Sequence, residues 1–438
     1  MIRRLKVRGY KSLADCEIDL ASMSVVLGPN GSGKSNLLDL IALLSRLASR
    51  ETLRDAFEGH RGRPLEAFHW PQGFGPRGYQ AILRQERVSF WVQCDLELHP
   101  RIVSDVNRTL EEREQAVGAK AAYTRVAETR LRYELEIALH PRSGELFVVD
   151  EKLQALRKDL EPKADSVRPP FFEKKTTEGG VPRFVARVER QSHPRFFDAG
   201  RARTLLSELS DPVYHPHVVA AAREIASWRV YYVEPARMRA EIGVQSAEEP
   251  GRSGELLAPY YYFLQERHPA ALRGVVRNLR DLVPGLLDLR VEVREGQLEI
   301  VTTHEGGAEY PARLLSEGTL RLLCILGIAV APSPPALVVY EEPENGVNPA
   351  RLDLIAQILR NAVEVRPDGP QFLLTTHSPR VCSLLPEHLV LSAWDSRRGT
   401  LFQRLAWDRD SLYFEEDVLR AIDGQGASAV AEKVPDGA

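Results

Sequence analysis

Apolar and charged residues alternate over positions 2–8 (IRRLKVR), the two-residue period of a strand with one buried face. Met23–Leu27 (MSVVL) is a short continuous apolar run, as a strand covered on both faces of a parallel sheet should be. Leucines and an isoleucine then recur at helical spacing over 36–48. The order is therefore strand, glycine loop, helix. Residues 51–80, rich in Gly, Pro and Arg, read as an irregular loop. Positions 88–98 read as a strand and 101–129 as a polar, helix-prone stretch. Positions 132–139 and 146–152 read as a hairpin turning at Ser143-Gly144. Residues 155–200 are polar and give no clear period. Amphipathic helices are expected over 202–209, 216–228, 255–265 and 270–282, a strand at 230–233, and two short strands within 286–301. Positions 316–330 open with a polar turn and continue as an apolar helix. Two further buried strands, 336–340 (ALVVY) and 371–375, flank an amphipathic helix at 350–363. Closing strands are expected at 389–393 and 401–407.

Composition adds limits. Of 438 residues, 43% are hydrophobic and 27% charged, an ordinary balance for a soluble globular protein. Four cysteines lie far apart without a CxxC pair, which argues against a disulfide scaffold or a zinc ribbon. The N-terminus, MIRRLKVRGYKSL, lacks the apolar core of a signal peptide. The longest apolar run, 322–331, falls short of the ~20 residues needed to cross a bilayer. A cytoplasmic protein is expected. The formal net charge of −3 argues against coating nucleic acid by bulk charge, and leaves room for a local basic patch.

Gly28-Pro-Asn30-Gly31-Ser32-Gly33-Lys34-Ser35 fits the pattern GxxxxGK[ST] without a gap. A loop that curls around a phosphate must point its backbone N–H groups inward, and glycines permit both the angles and the close approach. The following helix adds the positive end of its dipole. Asn30 to Asn36 are thus the candidate phosphate-binding residues, with Lys34 reaching the β and γ phosphates of ATP and Ser35 ligating Mg2+.

Glu341-Glu342-Pro343-Glu344 follows the apolar run 336–340, at the carboxyl end of a buried strand, where ligands sit in an open α/β sheet. Glu341 is assigned to Mg2+ and Glu342 to the base that positions and deprotonates the attacking water. An acidic turn capping the next helix is the lesser alternative for such a cluster taken alone. Ser316-Glu317-Gly318 precedes the apolar helix and forms a second candidate anion site, although a plain N-cap explains it in isolation. Thr375-Thr376-His377-Ser378-Pro379 follows a buried strand. His377 is the candidate sensor of the γ-phosphate, though a lone histidine there is more often structural.

The order of these pieces carries more than each piece. Phosphate loop, LSEG, EEPE and THSP succeed one another as in the ABC-type ATPase head, and the chain resembles the SMC/RecF/OLD-like branch of predicted AAA-family ATPases with short insertions. The matching stretches are YKSL with GPNGSGKSN, then LLSEGTLRLL, EEPENGVNP and TTHSP, with SWRVYYVEPARMR as a further likeness. The resemblance implies an α/β P-loop NTPase with two lobes and an inserted α+β segment. Lobe I is expected over 1–150, an insertion over 151–210, lobe II over 211–425 and a flexible tail over 426–438. It implies an Mg-dependent ATPase in which two heads bury two ATP molecules between them. Ser316 and Gly318 would then contact the partner's γ-phosphate, the 345–349 loop would run along the dimer interface, and Lys11 and Ser12 would approach the nucleotide. Asn348 stands where many relatives have histidine. A lobe-coupling glutamine is expected among Gln72, Gln80, Gln85 and Gln93.

The stretch between Ser35 and Ser316 is long for a transporter subunit and far too short for the arms of an SMC protein. After His377 there is no convincing Toprim set, and Glu415, Glu416 and Asp417 read as a charged helix start. Positions 182–203 interleave arginines with Phe184, Phe196 and Phe197, a pattern that grips phosphates and stacks on bases, or that simply makes a solvated arginine-rich surface. The expected role is a dimeric ATP switch in DNA repair or anti-phage defence, with DNA and a separately encoded nuclease or effector as partners. The alternative is a switch that controls a toxic effector without touching DNA.

Overall fold

The computed structural model describes residues 1–438 except 72, 74, 118–121, 177–179, 190–192, 365–367, 397, 405–417, 419 and 421–438. Gln72, Arg190, the acidic run 415–417 and the 426–438 tail lie outside the described residues. The chain divides into two compact units. One holds Met1–Ala21, Asn30–Trp228 and Leu391–Arg404, and the other holds Ser22–Pro29 and Arg229–Val390. This division differs from the expected boundaries at 150 and 210. The first unit runs through both because one strand, Glu145–Ala155, spans residue 150. The helix Pro216–Ala226 also belongs to it: Ser45 Oγ, on the helix Lys34–Ser49, donates to the carbonyls of Ala226 at 3.2 Å and Trp228 at 3.1 Å.

The first strands are β1 (Ile2–Tyr10), β2 (Leu13–Asp19) and β3 (Met23–Leu27), the last belonging to the second unit. In the first unit follow β4 (Val88–Glu97), β5 (Arg130–His140), β6 (Glu145–Ala155), β7 (Phe172–Thr176), β8 (Pro182–Ala186) and β9 (Arg195–Asp198). They form one antiparallel sheet in the order β2-β1-β4-β5-β6-β7-β8-β9. The alternation over 2–8 works as expected: Ile2, Leu5, Val7 and Tyr10 are buried. β2 is unforeseen, yet its pairing is chemically plain. Arg4 sits opposite Asp19 and Lys6 opposite Glu17, with ion pairs of 2.7 and 3.0 Å. The predicted hairpin is β5–β6, and Gly144 in its turn adopts φ +74°, a left-handed angle that favours glycine.

Two readings change here. Residues 51–80 are not an irregular loop: they contain the helices Leu53–Glu58 and Pro76–Leu83 and a 3-10 turn, Pro64–Ala67. Thr52 and Asp55 form a capping box at the first of these, which supplies the N–H partners that a short helix lacks. Residues 155–200 carry β7, β8 and β9, held by a few buried side chains (Phe172, Phe184, Ala186) among many polar ones.

The second unit is built on buried parallel strands. These are β10 (Arg229–Tyr231), and, after β11 (Ile242–Gly243), β12 (Leu286–Arg294), β13 (Gln297–His304) and β14 (Glu309–Pro311), the strands β15 (Leu337–Glu341) and β16 (Gln371–Thr376). β10, β15, β16 and β3 pair in that order, all parallel, and β17 (Leu389–Asp395) comes after them in the chain. Every residue of β3 and β16 is buried, which accounts for their uninterrupted apolar or small-polar character. Each fully buried Val or Leu contributes about 1.5–3 kcal/mol relative to exposure, so five-residue strands suffice when both faces are covered. β12 and β13 form the predicted pair of strands, and β11 and β14 flank β13. The last strand, β18 (Gly399–Arg404), contributes to the first unit, where the Thr400 N–H donates to the Ser12 carbonyl at 2.9 Å.

Candidate functional site

The chain leaves β3 at Leu27 and enters the helix Lys34–Ser49 at Lys34. Between them Gly31 and Gly33 adopt φ +80° and +101°. Gly33 is the N-cap of that helix and offers no side chain to its N–H groups, and no acidic residue occupies the first turn. A Cβ on Gly33 would lie 2.0 Å from Thr400 Oγ1 and 2.8 Å from Ser12 Oγ, so angle and space both demand glycine. Asn30 and Gly31 are exposed, Ser32, Gly33 and Lys34 are buried, and Ser35 and Asn36 are half-buried. Ser32 is fixed through its carbonyl, which accepts from Ser392 Oγ at 3.0 Å, while its own buried Oγ has no protein partner. A buried hydroxyl without a partner, beside left-handed glycines at a helix start, fits an anion that supplies the missing bond.

Ser12 connects this loop to its surroundings. Its hydroxyl accepts from Asn36 Nδ2 at 2.6 Å and lies 2.8 Å from Thr400 Oγ1. Lys11 next to it has φ +45°, and its ammonium donates to the buried carboxylate of Asp39 at 2.8 Å. A cavity of about 380 Å³ opens here, lined by Lys11, Ser12 and Asn36 and by the aromatic rings of His69, Trp70 and Trp394. Trp394 is 54% exposed. The sequence reading anticipated Lys11 and Ser12 and missed the aromatic lining, which is scattered over distant positions.

In the second unit, β15 ends at Glu341, in register with Thr375 of β16. The next residue, Glu342, has φ +49°, an uncommon angle for a side chain with a Cβ. Its N–H donates to the Thr375 carbonyl at 3.0 Å, and Asn345 Nδ2 donates to its Oε2. Its Oε1 lies 3.3 Å from His377 Nε2, both side chains being about one-third exposed. Glu344, two residues on, accepts from Thr376 Oγ1 at 2.5 Å and from the His377 N–H at 3.2 Å. Burial pushes its carboxyl above the usual range, against hydrogen bonds that pull it down. Asn345 and Glu344 have contacts that the sequence reading did not assign. The bond from Asn345 to Glu342 spans three residues and had a local signal; the bonds that Glu344 accepts from the turn after β16 had none.

Ser316 caps the helix Glu317–Ala329, accepting from the Thr319 N–H at 3.2 Å. Ser316 and Glu317 are exposed and Gly318 is buried. A Cβ on Gly318 would lie 2.1 Å from the Gly346 carbonyl oxygen, so this glycine lets the turn close on the loop after Glu344. The predicted residues thus gather as one group around the phosphate loop, Asn30 to Asn36, and another comprising Glu341, Glu342 and His377, with Ser316–Gly318 against Gly346. Among the described residues no cluster of three or more His, Cys, Asp or Glu side chains could hold a metal by itself. Magnesium suits such a setting, since it is commonly held by one or two protein groups together with phosphate oxygens and water. Ser35, half-buried at the start of its helix, and Glu341, at the end of β15, each carry an oxygen of that kind, each within its own unit.

Other candidates fall differently. Gln93 is buried on β4, where its Nε2 donates to Asp95 at 3.2 Å, while Gln80 and Gln85 are exposed. In the arginine-rich stretch, Arg201 pairs with Glu208, Arg183 approaches Asp198 at 3.6 Å, and Arg187 donates to the Pro170 carbonyl at 3.0 Å. Phe184 is buried and Phe196 is 54% exposed. Arg201 and Arg183 therefore have carboxylates beside them, while Arg187 is held by a carbonyl. No helix among the described residues is long and apolar enough to cross a membrane.

Comparison with known proteins agrees with this architecture. An SMC head solved in complex with the C-terminal winged-helix domain of ScpA is similar over 92% of this chain and 97% of its own, with 12% identity and a TM-score of 0.50. An SMC head domain from Thermotoga maritima (14% identity, 93% and 99% covered, TM-score 0.42) is also similar. So is an SMC head with an extended coiled coil, bound to a ScpA domain from Pyrococcus furiosus (12%, 92% and 95%, TM-score 0.48). No curated protein matches the sequence. The fold is that of an SMC-type, P-loop NTPase head. An AAA ATPase domain family matches residues 1–162. A second family matches residues 118–383, more than half of the chain, and the protein accordingly belongs to that family of AAA ATPases, described as "AAA domain, putative AbiEii toxin, Type IV TA system".

Proposed function

We propose that the chain is an Mg-dependent ATPase that works as a dimeric switch. Asn30 to Asn36 bind the phosphates, Lys34 meets the β and γ groups, and Ser35 and Glu341 hold the metal. When bound, Mg2+ neutralises charge on the phosphate oxygens. The cavity lined by Trp70, His69 and Trp394 takes the base and ribose, with Lys11 and Ser12 beside them. Glu342 orients the attacking water and accepts its proton, and His377, with a proton on Nε2, steadies the Glu342 carboxylate and meets the γ-phosphate. The observation that carries this reading is Glu342 itself. A carboxylate carried at a left-handed backbone position, its own N–H held by the Thr375 carbonyl and its two oxygens met by Asn345 and His377, is strained for a purpose. Replacing Glu342 by Gln should leave ATP binding intact and nearly stop hydrolysis. Unchanged turnover would remove the assignment.

Dimerisation is supported by the exposure of Ser316 and Glu317 at a helix start and of Asn345, Gly346 and Asn348 in the neighbouring loop. In the proposed dimer these face the partner's bound nucleotide. ATP then favours association by its differential affinity for the two states, and loss of the γ-phosphate reverses it.

For the biological role we propose repair or anti-phage defence in the cytoplasm, with DNA and a separately encoded nuclease or effector as partners. The similar SMC head binds a winged-helix domain, which supports a protein partner here. The alternative, a switch that controls a toxic effector without DNA, is favoured by the toxin named in the description of the matching family. ATP-stimulated, salt-sensitive DNA binding supports the first role, and its absence supports the second.

A further inference from the structure

We propose that Glu344 is a positioning residue that sets the register of His377 against Glu342. The proposal rests on the catalytic reading above. Glu344 Oε1 accepts two bonds from the chain that carries the histidine: one from Thr376 Oγ1 at 2.5 Å and one from the His377 N–H at 3.2 Å. Thr376 is fully buried, and its hydroxyl in turn accepts from the Ser378 N–H at 2.9 Å, so the turn after β16 is tied at three successive residues. On its other side Glu344 belongs to the turn that begins at Glu342. The Asn345 N–H donates to the Glu342 carbonyl at 3.2 Å and the Val347 N–H to the Glu344 carbonyl at 3.0 Å. One half-buried glutamate therefore clamps the turn bearing the proposed base to the turn bearing the histidine. The His377–Glu342 separation of 3.3 Å is what this clamp maintains. The same turn continues to Gly346, whose carbonyl leaves no room for a Cβ on Gly318. Glu344 touches neither substrate nor metal in this account. It acts through His377.

Both clamping bonds end on a single oxygen, and this makes the proposal testable. A glutamine keeps that oxygen as an acceptor; alanine removes it, and aspartate withdraws it by one methylene. Glu344→Ala and Glu344→Asp should lower kcat on the order of tenfold to a hundredfold at little-changed KM for ATP, because a small misplacement of a reacting group has that effect. Glu344→Gln should keep most of the wild-type kcat. Thr376→Val, which removes one of the two donors, should give a smaller drop and serves if Glu344→Ala does not fold. Steady-state turnover and thermal unfolding are measured on each full-length variant, with Glu342→Gln as control. If Glu342→Gln stops turnover while Glu344→Ala and Thr376→Val keep wild-type kcat, the clamp is wrong and the catalytic reading stands. Equal loss in Glu344→Gln and Glu344→Ala also overturns it, since the acceptor oxygen would then not be what matters. If Glu342→Gln turns over normally, the catalytic reading fails first.

Discussion

The phosphate loop and the turn after β15 both require left-handed backbone, and they meet the requirement in opposite ways. The loop assigns it to Gly31 and Gly33, where no Cβ resists it. The turn assigns it to Glu342, which carries a Cβ and a charge. For an L-residue this conformation costs roughly 1–2 kcal/mol. A site that needs only backbone N–H groups can be made of glycine. A site that needs a carboxylate at the bend cannot, and it accepts the strain. The contrast sets the loop proposed to bind phosphate apart from the turn proposed to carry the base, on backbone angles alone.

Substitutions sharpen that contrast, beginning with the largest effects. Lys34→Ala should abolish ATP binding or turnover, measured by phosphate release and nucleotide binding; unchanged turnover would remove the phosphate-loop assignment. Glu342→Gln should bind ATP yet turn over very slowly. Ser316→Arg should block ATP-dependent dimerisation and leave single-protomer binding in place, seen by light scattering and nucleotide titration. Loss of both together would give Ser316 a folding role through its cap on Thr319 instead. Trp70→Ala should raise KM for ATP with little change in kcat, since an aromatic platform contributes about 1–3 kcal/mol per stacked base and does not touch the reacting atoms. The smallest effect tests the strain itself. Glu342→Gly should be more stable than Glu342→Ala by about 1 kcal/mol in denaturant unfolding. Equal stabilities would show that the bend costs nothing.

The two regions also differ in how plainly the sequence displays them. The parallel strands β3, β15 and β16 are short apolar runs bounded by glycine, proline or acidic residues, and each reads within a residue or two of its observed limits. Burial on both faces leaves little freedom in what such strands contain. The antiparallel sheet of the first unit is less legible. β2 has only Leu13, Cys16 and Ile18 to mark its inner face, and its stability comes from pairing with β1, a partner the local sequence does not announce. β7 to β9 likewise depend on neighbours across the sheet. The helix Leu53–Glu58 was readable from Thr52 and Asp55, and the surrounding Gly and Arg content hid it. At the candidate site, residue types in order were enough to nominate Lys34, Glu341, Glu342 and His377. The double acceptance by Glu344 and the aromatic wall of the cavity are three-dimensional facts, because each joins residues from separate elements of one unit, and the left-handed angle at Glu342 is one that no residue type there announces.

The most direct test of the proposed switch is the mass in solution of Glu342→Gln with ATP and Mg2+, compared with the same protein in ADP. The account predicts a dimer that forms with ATP and falls apart in ADP. A particle that stays monomeric with ATP bound would contradict it.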